Sequence, residues 1–166
     1  MEAPQASKVA EDVAIFLEEL ECHRDQQGEL RALFYAALRF AIRRNAPHGV
    51  FDEIIKAAIS HRSLQSSCLV VVEKSSEEVQ WGLRQAVVSS GDTMDAIEIA
   101  AKMRIPLTRE EIVLLGSHLG QSREPLSSAR NLLGYAERQK LPELDLRRLR
   151  TQIAEVERAH VGNSSG

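Results

Sequence analysis

GDTMDAIEIAAKMRIPLTREEIVLLGSHL, residues 91–119, spells a helix, a stop and a second helix with a full start signal. The stop is Pro106, whose ring blocks helical continuation and biases Ile105 away from the αR region. The start is Thr108 with Glu111 three residues on. In that capping-box pattern the threonine oxygen takes one orphan N–H and the glutamate reaches back to another. Leu107 and Ile112 fall at the two positions of a hydrophobic staple. Glu111 is therefore expected to be architectural and not an acid–base group.

Similar punctuation recurs on both sides. Ser7 caps a first helix to about Arg24, with Val9, Val13, Phe16, Leu17 and Leu20 on one face and Glu11, Asp12, Glu18, Glu19 and Glu21 on the other. A second helix runs from about Glu29 to Arg44. Asn45-Ala-Pro-His-Gly49 stops it, and a third runs from about Val50 to His61. Val70-Val71-Val72 has strand propensity, but no second strand signal exists to pair with it, so residues 63–73 are read as helix. Ser75 and Glu78 form a second capping box for a helix to about Ser89. Gly120 falls where a C′ glycine would close the Thr108 helix. Pro125 suits the first turn of a helix to about Lys140, striped by Leu126, Ala129, Leu133 and Ala136. Pro142 opens the last helix, whose Leu146, Leu149, Ile153 and Val156 make a narrow 3-4-3 seam.

Helix starts fall near 49, 63, 76, 92, 108 and 123, a spacing of about 15 residues, so helical pairs recur at roughly the period of hairpin repeats. The tetratricopeptide signature is absent. The expected fold is all-α: a compact bundle, or a short solenoid-like stack, of eight or nine short helices joined by tight turns. One helical domain is expected over residues 7–161, with 142–160 as an appended interaction helix if it does not pack on the rest. Residues 1–6 and 162–166 are expected to be disordered.

At 166 residues the chain can bury a core without disulfides or metals. Aromatics are only 4%, so that core must be built from Leu, Ile, Val and Ala, and stacking platforms for single strands are not expected. The net charge of −3 argues against a dedicated duplex binder. Cys22 and Cys68 give neither a zinc spacing nor a secreted disulfide framework. With no signal-peptide pattern and no long apolar run, a cytoplasmic, reducing location is expected, without a membrane span.

No catalytic constellation emerges. The five histidines lack the i, i+4 spacing of a helical zinc site, and neither GxSxG nor a glycine-rich phosphate loop occurs. No catalytic residue, cofactor or metal is expected. Gly82, Gly116 and Gly134 lie inside helices at about 1 kcal/mol each relative to alanine, which predicts close helix–helix approach. The candidates for partner binding are the basic end of the second helix (Arg39, Arg43 and Arg44), the single tryptophan Trp81, and the last helix through Leu146, Leu149, Ile153 and Val156. These point to a non-enzymatic interaction, adaptor or chaperone-like regulatory module whose partner is a protein helix or acidic surface, or a second copy of the chain. The alternatives are a regulator touching nucleic acid through the arginine patch and a small enzyme with a site assembled between helices.

Overall fold

A computed structural model describes residues 3–164, whose regular structure is all helical, with no strand among them. The α-helices are α1 (Ala3–Cys22), α2 (Gln27–Arg43), α3 (His48–Ile59), α4 (Arg62–Cys68), α5 (Glu77–Ser89), α6 (Thr93–Met103), α7 (Arg109–Ser117), α8 (Pro125–Arg138) and α9 (Glu143–Ser164). Short 3-10 turns occupy Val72–Lys74 and Leu119–Gln121. The all-α expectation holds. Val70 and Val71 lie between α4 and a 3-10 turn, and not in a strand.

Contacts divide the chain into two compact units, Met1–Leu83 and Arg84–Gly166, where one domain over 7–161 is the sequence expectation. In the first unit α1 packs on α2 and α3, and α3 on α2 and α4. Val13, Leu20, Leu30, Phe34, Phe51, Ile54 and Leu64 are buried there. In the second unit α8 packs on α6, α7 and α9, and α9 also on α7. Ile99, Ile112, Leu115, Leu132 and Leu149 are buried in it. As the low aromatic content requires, both cores are mainly aliphatic.

Several helix ends differ from expectation. α1 begins at Ala3, so residues 3–6 are helical, and Ser7 sits inside the helix with its hydroxyl donating to Glu11 (3.4 Å). Gly162 to Ser164 belong to α9. Met1, Glu2, Ser165 and Gly166, also expected to be disordered, lie outside the described residues. The Thr108–Glu111 capping box is present with both bonds: Glu111 N–H donates to Thr108 Oγ1 (3.2 Å) and Thr108 N–H to Glu111 Oε1 (2.9 Å). Leu107 and Ile112 are both buried beside it.

The second box is built differently. α5 starts one residue later than a Ser75 cap requires. Ser75 turns its hydroxyl to the Val72 carbonyl (2.6 Å), and Ser76 Oγ accepts from Val79 N–H (3.4 Å). That register puts Val79 where a box needs Glu or Gln. Asp52 of α3 supplies the missing acceptor, taking the Ser76 backbone N–H at 2.7 Å.

Four helices close alike. After α2, α5, α6 and α8 comes a residue at positive φ: Asn45 (47°), Gly91 (72°), Arg104 (58°) and Lys140 (55°). In each case the next N–H reaches back five residues: Ala46 to Ala41, Asp92 to Val87, Ile105 to Ala100, Leu141 to Ala136. This is the Schellman closure, which satisfies carbonyls the helix end would orphan. Gly91 is also sterically required, because a Cβ there would stand 2.7 Å from His118 Cβ. Gly120 is not a C′ glycine: α7 ends at Ser117 and Gly120 lies in the 3-10 turn.

Of the three helical glycines, Gly116 marks the tight approach, since a Cβ would meet Leu149 of α9 at 3.1 Å and Gln152 at 2.7 Å. At Gly82 a Cβ would make only ordinary contact with Ile59, and at Gly134 it would face Arg138 of its own helix. The expected stripe of α8 is also rotated. Leu132 and Tyr135 are buried with Ala129 and Ala136, while Leu126 and Leu133 are half-buried.

Candidate functional site

The last helix does not present its seam. Leu146, Leu149 and Ile153 are buried, and α9 packs on α7 and α8 within its own unit. Val156 is half-buried beyond them. The chain itself covers the face that its 3-4-3 spacing offered to a partner. Trp81 is half-buried in α5 and engaged with its surroundings.

The arginine end of α2 is a different matter. From Leu30 to Phe51 the chain has no Asp or Glu, and it carries Arg31, Arg39, Arg43 and Arg44. Arg31, Tyr35, Arg39 and Arg43 follow one another at four-residue steps. Each step advances about 40° round the helix and about 6 Å along it, so neighbours share a face. The apolar residues Leu30, Phe34, Ala37, Leu38 and Ala41 take the opposite face into the core. All four stripe residues are exposed, Tyr35 by 45%, and the Tyr35 hydroxyl is fixed by Ser67 of the α4 side (3.0 Å). Among the described residues, Arg31, Arg39 and Arg43 make no ion pair or hydrogen bond. Exposed arginines elsewhere do: Arg24 with Glu21 (3.1 Å) and Arg150 with Glu143 (3.1 Å).

Arg44 leaves this group. It lies five residues, about 140°, beyond Arg39. Its guanidinium sits over the Phe40 ring at 5.5 Å, a cation–π contact, and Phe40 in turn packs near Phe16 of α1 (6.1 Å). With Lys8 and Asp12 it lines a separate pocket of about 230 Å³. The structure thus keeps Arg39 and Arg43 together, moves Arg44 to the α1 side, and adds Arg31 and Tyr35. Their four-residue spacing was the available signal.

The second unit holds two charge pairs the sequence reading missed. Arg84 is completely buried. Its Nε and Nη2 donate to the two oxygens of Glu111 (2.9 and 2.6 Å), and Nη1 and Nη2 donate to the carbonyls of Ile105 (2.7 Å) and Pro106 (2.8 Å). Burial alone would raise the Glu111 carboxyl, but the Arg84 hydrogen bond and the Thr108 backbone outweigh it, and the group is held below the usual carboxylate range. Arg109 Nε and Nη2 grip buried Asp145 at 2.6 and 3.1 Å. That hydrogen bond lowers the Asp145 carboxyl against the opposing effect of burial. A carboxylate held below its usual range by a bonded guanidinium stays ionised near neutral pH, and each pair ties two parts of the unit together.

Burial pushes the Cys68 thiol up to about 12, which keeps it a protonated core group. Cys22 is exposed and unbridged. Among the described residues no cluster of His, Cys, Asp and Glu is placed to hold a metal, and no helix is long and apolar enough to cross a membrane. No protein-family model, curated protein or solved structure matches this chain.

Proposed function

We propose that the protein is a non-enzymatic interaction module that docks an acidic surface of a partner protein on the outer face of α2. The observation that carries this reading is the stripe Arg31–Tyr35–Arg39–Arg43: exposed guanidiniums without ion pairs, around an anchored aromatic, in a stretch devoid of carboxylates. Arginine and tyrosine are the residues that interfaces favour, and a guanidinium grips carboxylates bidentately. An acidic helix with carboxylates at i, i+4 and i+8 has the matching spacing.

Charge favours a protein over a nucleic acid. Thirteen Asp and Glu stand against nine Lys and Arg over Met1–Leu83, so the unit that carries the stripe is net acidic. Such a field disfavours a long polyanion while leaving a local contact intact.

Titration of the isotope-labelled chain with a glutamate-flanked amphipathic helical peptide, and separately with duplex DNA, tests this. The peptide is expected to shift the amides of Arg31, Tyr35, Arg39 and Arg43, and the double variant Arg39→Glu/Arg43→Glu is expected to lose the effect. Binding of the duplex with a steep salt dependence, and not of the peptide, would favour the nucleic-acid reading. No shift by either at low salt would reject the stripe as a docking face.

A further inference from the structure

We infer that the first unit carries a second docking site of opposite charge: the groove between α1 and α3, which fits a basic amphipathic helix of a partner protein. The groove holds about 300 Å³ and is lined by Ala10, Val13, Ala14 and Leu17 of α1 and by Val50 of α3, with Glu18 on one wall and Glu53 on the other. Three properties define its occupant. The α1 wall repeats at 10, 13/14 and 17, two helical turns of small and aliphatic side chains, which is the register an i, i+3/i+4, i+7 ligand helix reads. Next, the wall at Gly49 is open, with nothing within 4 Å of where a Cβ would stand, so inserted side chains have room. Finally, the only charged groups lining the groove are carboxylates. Glu53 pairs with exposed Lys56 at 3.5 Å, a solvated pair that a partner's cation can displace.

These properties exclude other occupants on physical grounds. A metabolite pocket of this size would carry converging donors and acceptors, and this one offers apolar walls with carboxylates at the edge. A second copy meeting face to face would bring Glu18 and Glu53 of both chains to one seam, a juxtaposition of like charges. A helix with an apolar ridge flanked by Lys or Arg satisfies both the walls and the rim. The site is separate from the α2 stripe and does not depend on it.

The test uses the full chain, isotope-labelled, and a helical peptide of about 16 residues with leucines at i, i+3, i+4 and i+7 and lysines on both flanks. Amide shifts are expected at Ala10, Ala14, Leu17, Gly49 and Glu53. Ala14→Trp, which fills the groove from an exposed position, should weaken binding at least about tenfold, as should Glu18→Lys/Glu53→Lys, which leaves the walls intact. A peptide of the same composition, scrambled so that its leucines share no face, should not bind. Equal binding by the scrambled peptide, or unchanged binding in both variants, would overturn the inference. A concentration-dependent dimer in sedimentation that Ala14→Trp abolishes would assign the groove to a second copy and overturn it equally. The variant Arg39→Glu/Arg43→Glu should bind the cationic peptide undiminished, so failure of one surface leaves the other standing.

Discussion

Arg84 places a guanidinium where water does not reach and donates there to the Glu111 carboxylate and to the Ile105 and Pro106 carbonyls. Removing one partner of such a pair strands the other charge. Arg84→Ala is therefore expected to lower unfolding stability by about 3–5 kcal/mol in chemical denaturation. Arg84→Lys should recover little, because an ammonium cannot reproduce the two-pronged grip on Glu111 or reach both turn carbonyls. Glu111 and Asp145 also predict an acid limb. Both are held below the carboxylate range of the unfolded chain, so near pH 4 the unfolded state binds more protons. Their stabilisation is fully present above the unfolded values of about 4 and is lost as pH falls through the lowered native ones. Glu111→Gln should be less stable at pH 7 yet decline less steeply below pH 4, which denaturation across a pH series would show. The capping role of Glu111 was legible because its partner is three residues away. Its second partner is 27 residues off and its carbonyl neighbours sit in the Pro106 turn, so nothing local announces the buried pair.

Among the elements, helix ends follow two devices. One is the left-handed closure after α2, α5, α6 and α8, with a proline two residues beyond it in three cases, Pro47, Pro106 and Pro142. The prolines were readable as stops. The positive φ at Arg104 and Lys140 was not, since neither residue prefers that region. Arg104→Gly is expected to stabilise by about 0.5–1 kcal/mol through relief of that strain, and Gly91→Ala to destabilise by more than about 1 kcal/mol, both measured by thermal unfolding. The other device is the shared cap of α5. The serine pair Ser75-Ser76 made the register ambiguous, and the choice was settled by Asp52, 24 residues earlier in α3. Asp52→Ala should cost about 1 kcal/mol, in the range of a lost helix cap. Apolar spacing likewise placed α9 and its seam but not what covers them: any helix presenting a complementary ridge would do, and here α7 and α8 supply it.

Across the whole molecule, the two units each close an aliphatic core of their own, and both proposed docking surfaces lie on the first unit. Sequence alone gave the fold class, because caps, prolines and 3.6-residue stripes are local. It located only the last turn of the α2 surface. The rest of that surface emerges when burial of Phe34 and Leu38 fixes which way the helix faces, leaving Arg31 and Tyr35 in line with Arg39 and Arg43. The most direct test is affinity capture from source lysate with quantitative mass spectrometry, comparing the native chain with Arg31→Glu/Arg39→Glu/Arg43→Glu. A charge-matched control, Arg123→Glu/Arg130→Glu/Arg158→Glu, reverses three exposed arginines of the second unit. The α2 variant is expected to unfold at the native chain's temperature and to lose at least one partner that the native chain and the control both retain. A folded α2 variant that keeps every partner would overturn the α2 docking face.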